Sequence, residues 1–192
     1  MTQRIVIGMS GASGAGLGIR ILEVLAGVAG VETHLVISSA AERTIAHEAG
    51  PGALAHVRAL ATVVHPIDAI GATIASGSFR TVGMIVAPCS MRTLSAIAYS
   101  QSDTLLVRAA DVHLKERRRL VLLARETPLH LGHLRAMVAV TEMGAIVAPP
   151  VPAFYRRPES IEAMVDAIAR RAIDHLGNDL GVSPESWGGL PP

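Results

Sequence analysis

Residues 4–25 read RIVIGMSGASGAGLGIRILEVL. A β-branched run, Arg4 to Met9, passes into a turn of small residues and then into an apolar-periodic segment, Leu17 to Leu25. The order is strand, tight loop, helix. Small residues let a backbone come close to a phosphate or a flat ring, and the amides that open a helix favour an anion. The glycines stand at 8, 11, 14, 16 and 18, so no GxGxxG can be placed, and the turn holds no Walker lysine. A dinucleotide site would also want an acidic residue closing the second strand, where this chain has Ser38-Ser39. The turn therefore suits a mononucleotide such as FMN, with a plain tight turn as the alternative.

Outward from this unit the pattern repeats. Glu32 to Ile37, Met84 to Ala87, Leu120 to Ala124 and Ala145 to Ala148 read as further buried strands. Helices are expected over Ala40 to Glu48, about Thr93 to Tyr99, Leu131 to Glu142, and a last segment whose apolar residues are Ile161, Val165, Ile168, Ala172 and Leu176. Short strands alternating with helices predict an α/β fold, a three-layer sandwich of the flavodoxin or Rossmann kind on a mostly parallel sheet, with ligands at the carboxyl ends of the strands. Gly50 to Arg80 is less regular, and its Ser76-Gly77-Ser78 is expected to approach that same edge. One flavin-binding domain, 1–178, and an irregular tail, 179–192, account for the chain.

Half of the residues are hydrophobic and only 17% are charged, which is greasy for a monomer and points to apolar surface buried between subunits. A net charge of +1 and aromatics at 3% give neither an electrostatic footprint nor stacking platforms for nucleic acid. No apolar run approaches the ~20 residues that span a bilayer. The single cysteine, Cys89, cannot form an internal disulfide, and the expected compartment is the cytoplasm.

Several groups could carry chemistry. Pro88-Cys89-Ser90-Met91-Arg92-Thr93 gathers hydroxyls, amides and a cation at a strand end, and Cys89 there reads more readily as a small core residue than as a nucleophile. Glu126, at the end of a buried strand and beside Arg125, stands where α/β enzymes place catalytic groups; an Arg125–Glu126 ion pair is the structural alternative. His130 and His133 have a spacing that a metal would tolerate but no third ligand, so helix packing is favoured. Phe154-Tyr155-Arg156-Arg157 and Arg171 complete the set.

Met9-Ser10-Gly11-Ala12-Ser13-Gly14-Ala15, Ser76-Gly77-Ser78-Phe79, Pro88-Cys89-Ser90, Arg108-Ala109-Ala110-Asp111, Leu114-Lys115-Glu116-Arg117-Arg118, Arg125-Glu126-Thr127-Pro128-Leu129 and Pro149-Pro150-Val151-Pro152-Ala153-Phe154-Tyr155 follow one another in an order that closely resembles the UbiX-type flavin prenyltransferases. The likeness runs from about residue 4 to residue 176. It implies a flavodoxin-like subunit in a large homo-oligomer, a dodecamer, with FMN near subunit boundaries. It also implies transfer of a dimethylallyl group from dimethylallyl monophosphate to N5 and C6 of reduced FMN, without a metal, giving prenylated FMN for a UbiD-type decarboxylase. Carried over by motif, Gly11, Ala12, Ser13, Ser38 and Arg125 hold the flavin together with Ser90, Met91, Arg92 and Thr93. Lys115, Tyr155, Arg171 and Arg108 hold the donor phosphate. Glu48 and Glu126 manage protons, and Lys115 and Ser13 share the catalytic work. The chain has no DDxxD and no adjacent Asp pair, in keeping with a metal-free route. Ser39 and Arg92 stand where relatives often have Lys, and Trp187 is left outside the site.

The competing expectations are an FMN-dependent cysteine decarboxylase of the same fold and a non-catalytic flavin carrier. Neither a decarboxylase's catalytic His nor its flap Cys is convincingly placed, and a carrier needs no second phosphate site.

Overall fold

The computed structural model describes residues 2–182 and 188–189. Strands β1 (Gln3–Met9), β2 (Val31–Ile37), β3 (Val63–His65), β4 (Gly83–Cys89), β5 (Arg119–Ala124) and β6 (Ile146–Val147) form one sheet. Its order is β3-β2-β1-β4-β5-β6, and every pairing is parallel. Helices α1 (Ala15–Ala26), α2 (Ser39–Ala49), α3 (Ala53–Leu60), α4 (Met91–Ala98), α5 (Leu105–Lys115), α6 (Leu131–Glu142) and α7 (Ile161–Asp174) cover both faces. This is the doubly wound three-layer architecture expected.

Why the strands read as unbroken apolar runs is visible in the two cores. Ile5, Ile7 and Met9 of β1 turn to one face and meet Leu22 of α1, Ile45 of α2 and Ile173 of α7. Val6 turns to the other, against Leu94 of α4, Leu106 of α5 and Val140 of α6. Successive side chains point to opposite faces, so a strand buried on both needs no polar alternation. Each fully buried Ile or Leu stabilises the fold by roughly 1.5–3 kcal/mol.

The chain winds β1 to β3 towards one edge of the sheet, then crosses back to β4 and winds towards the other. Between β1 and β4 the winding reverses: α1 leaves onto one face and α4 onto the other, which opens a crevice at the carboxyl ends of these two strands. Gly18 lets α1 press on that end, because a Cβ there would run into the Ala87 carbonyl oxygen.

Three details depart from the sequence reading. The stretch 50–80 contains α3, the three-residue edge strand β3 and a single 3-10 turn at Thr73–Ala75, elements too short to show a period. Leu105–Lys115, given no element by that reading, is a helix opened by the Thr104 hydroxyl accepting from the Val107 amide. The packed body also extends past 178, since Leu180 is buried in the first core and Val182 packs on it. Trp187 lies outside the described residues.

Candidate active site

Hydrogen bonding continues past the strand ends at the carboxyl edge. Ser38 N donates to Met9 O (3.0 Å), Ser10 N to Pro88 O (3.1 Å) and Arg125 N to Cys89 O (3.0 Å). The loops after β1, β2, β4 and β5 are thereby fixed to one another. Ser38 caps α2 by accepting from Ala41 N at 3.1 Å, which leaves its hydroxyl proton to offer. Ser90 caps α4, accepting from Thr93 N (3.3 Å) and donating to the Thr93 hydroxyl (3.1 Å).

The amino end of α1 is already matched with an anion, and that anion is the chain's own. Glu48, at the last turn of α2, accepts from Gly14 N at 3.0 Å and Ala15 N at 2.8 Å. Burial pushes its carboxyl up, but hydrogen bonds from the Ser13 hydroxyl and the two amides, with the Arg125 charge, outweigh this and hold it below the ordinary carboxylate range. As a carboxylate Glu48 accepts hydrogen bonds from these N–H and O–H groups and donates none. The expectation that the first helix start receives a ligand's phosphate is corrected accordingly: those two amides are taken.

Ser13, Ser38, Glu48, Ser90–Thr93 and Arg125 thus gather around this crevice. Gly11 and Ser13 are exposed in its first loop, while Ala12 is buried. Arg92 is exposed on the opening turn of α4, whereas Met91 and Thr93 are buried, so Met91 offers the crevice its backbone and gives its side chain to the second core. Glu126 follows Arg125 into solvent, one carboxylate oxygen accepting from Thr127 N at 3.0 Å. The amides opening α4, the Ser13 and Ser38 hydroxyls and the cations of Arg92 and Arg125 are a donor set that fits the phosphate ester and polyol of FMN.

Of the four residues assigned to the donor phosphate, Lys115 and Arg171 are not brought to this crevice within one chain. Lys115 ends α5, four residues before β5 begins at Arg119, which pairs with Gly83, the first residue of β4. It therefore sits at the amino edge, ion-paired with Glu116. Ser76-Gly77-Ser78 lies there as well, contrary to expectation: a Cβ on Gly77 would run into the Glu116 carboxylate and come within 2.8 Å of Lys115 Nζ. Arg171, paired with Asp174, is near the end of α7, where Leu176 packs on Gly83. Arg108 is paired with Asp111 at 2.7 Å along α5. Tyr155, 57% exposed, is on the loop beyond edge strand β6. A helix running back from a strand's carboxyl end must finish at the amino edge, which is why residues on α5 and α7 part from those on the loops.

Cys89 is wholly buried and its thiol is pushed up to about 12 by that burial, so it is a core residue and no nucleophile. His130 Nδ1 accepts from the Gly132 and His133 amides, capping α6, and its ring stacks on His133 at 3.6 Å. Among the described residues no three His, Cys, Asp or Glu side chains are grouped to hold a metal. No described helix is long and apolar enough to cross a membrane. The sequence reading missed Ser10, whose partners lie about eighty residues away, and no local signal announces it.

A crevice with these donors, at the reversal point of a six-stranded doubly wound sheet, defines a flavoprotein, and the Flavoprotein family matches residues 1–172. The chain is 56% identical to the flavin prenyltransferase UbiX of Thauera aromatica over 177 residues, 92% of this chain and 90% of that one. Its structure is similar to that of AnUbiX (PadA1) in complex with FMN and dimethylallyl pyrophosphate, with a TM-score of 0.93, 51% identity and full coverage of both chains. It is similar also to a dodecameric FMN-dependent UbiX-like decarboxylase from Escherichia coli O157:H7, with a TM-score of 0.91, 46% identity and coverage of 98% and 100%. The chain belongs to the UbiX flavin prenyltransferase family.

Proposed function

We propose that this protein is a flavin prenyltransferase that makes prenylated FMN from reduced FMN and a dimethylallyl phosphate, with the donor's phosphate held by residues of a neighbouring subunit. The observation that carries the reading is the gathering of Ser13, Ser38, Glu48, Ser90–Thr93 and Arg125 at the winding reversal, with Glu126 next in the chain. Membership of a family of transferases favours it over the cysteine decarboxylase and the carrier.

Reduced FMN supplies the nucleophilic N5 and the ring carbon C6 that the five-carbon unit joins. The protein's part is charge and proton placement. Negative charge grows on the departing phosphate, so Lys115, Arg171, Arg108 and the Tyr155 hydroxyl stabilise the transition state more than the bound donor. Glu126 in its acid form hands a proton to a phosphate oxygen as the carbon–oxygen bond breaks; as a carboxylate it then accepts the proton leaving C6. Cationic side chains do here what a metal does for a diphosphate, and the donor we propose is the monophosphate.

Lys115 and Arg171 lie at the opposite edge from the flavin loops, so a complete site needs two or more copies of the chain. A surface for such copies is present: Leu131, Leu134 and Val138 make an exposed apolar stripe along α6 at helical spacing. The dodecamer of the E. coli relative supports a closed homo-oligomer of this size. We place the protein in the cytoplasm and its product with a UbiD-type decarboxylase.

The test is anaerobic incubation with FMN, dithionite and dimethylallyl monophosphate, followed by mass spectrometry of the released flavin. A gain of one five-carbon unit is expected; unmodified FMN with both the mono- and diphosphate donors would overturn the reading.

A further inference from the structure

The β1–β4 ladder stops at Gly8 and Val86. Past it the backbone adds only one bond, Ser10 N donating to Pro88 O at 3.1 Å, because Pro88 has no N–H to return. At this point the Ser10 side chain adds the missing link. Its hydroxyl donates to Pro88 O at 2.9 Å and accepts from Ser90 N at 2.7 Å, and the residue is only 2% exposed. A hydroxyl is both donor and acceptor, so one side chain does what two backbone groups do elsewhere in the sheet.

This substitution falls between the two strands where the winding reverses, where the loops part towards opposite faces. On one side is the turn carrying Gly11, Ala12 and Ser13; on the other is Ser90, the cap residue of α4. We infer that Ser10 is a positioning residue that sets the width of the flavin crevice, holding the turn after β1 and the start of α4 at the spacing FMN needs. It touches no reacting atom. The inference rests on the reading of this crevice as the FMN site.

The experiment is FMN affinity by flavin fluorescence quenching, with the visible absorption spectrum of bound FMN and the thermal midpoint, for wild type, Ser10→Ala and Ser10→Thr. Alanine leaves the Ser90 amide without its partner and the Pro88 carbonyl with the Ser10 amide alone, and FMN Kd should rise about tenfold or more. Threonine retains the hydroxyl and should recover most of the affinity and the wild-type spectrum. Val140→Ala, a cavity in α6 remote from the crevice, is the control that lowers the midpoint while leaving FMN Kd unchanged. If wild type binds FMN and Ser10→Ala binds it equally well, the inference fails and the site reading stands. If wild type itself binds no FMN, both fail. Should Ser10→Ala give no folded protein, Ser10→Cys, with a much weaker donor and acceptor in the same shape, is judged by the same tenfold criterion.

Discussion

Glu48 accepts hydrogen bonds from the Gly14 and Ala15 amides at 3.0 and 2.8 Å, so the carboxylate of α2 closes the positive end of α1. Charge at a helix start acts within its first turn, and here that turn is satisfied internally. The amino end of α4, with Arg92 beside it, faces the crevice with no carboxylate of the chain bonded to it among the described residues.

Replacing Glu48 by Ala is expected to cost about 1 kcal/mol of stability, the usual value of an N-terminal cap. Because the folded carboxyl is held below its ordinary range, the cap's contribution is present above the unfolded pKa and is lost as pH falls through the folded one. Thermal midpoints of wild type and Glu48→Ala should differ at neutral pH and converge in strong acid. A difference independent of pH would show that the charge is immaterial.

Glu126→Gln keeps the shape and the Thr127 contact's acceptor but removes the exchangeable acid. Product formation should slow by roughly two orders of magnitude, in the range of general acid–base contributions, while FMN binding is retained. Single-turnover assays under anaerobic conditions measure the first and fluorescence titration the second; unchanged turnover would remove Glu126 from the mechanism.

Lys115→Ala and Glu126→Gln should each be strongly impaired alone yet recover activity when co-expressed. If the two residues of a site come from different copies, random assembly gives about a quarter of sites with both native groups. Tagging the two variants differently and assaying the doubly tagged oligomer checks this. No recovery in hybrids would mean that one copy supplies both groups.

His113 is buried with Nε2 at 2.8 Å from the Thr81 hydroxyl and Nδ1 at 2.7 Å from the Ala109 carbonyl, an arrangement for the neutral ring. Burial, only partly offset by the bond to Ala109, pushes its pKa from 6.5 down to about 4. The unfolded chain therefore takes up this proton first, and stability should decline as pH falls from 6.5 towards 4. Denaturant unfolding across that window should show a flatter decline in His113→Gln than in wild type.

How far the sequence leads is clearest at single elements. The turn Ser10 to Gly16 announces its strand and helix because both are long enough to show a period, and the flavin loops follow at strand ends. β3 and α3 are too short for that, α3 burying only Val57. Glu126 is legible as a strand-end carboxylate, but Glu48's bond to α1 is a contact across 33 residues that no spacing encodes. Lys115 and Arg171 are recognisable only through motif order, and their separation from the crevice emerges from helix direction.

The bonds from Ser38 to Met9, Ser10 to Pro88, Ser90 to Ser10 and Arg125 to Cys89 have a consequence for exchange with solvent. Ligand-gripping loops are commonly the first parts of a protein to open. Here their amides are tied into the sheet, so they should exchange deuterium on the slow timescale of β1 and β4. Flavin would then enter and leave a socket that already exists, at rates governed by encounter and desolvation, with no loop to order on arrival.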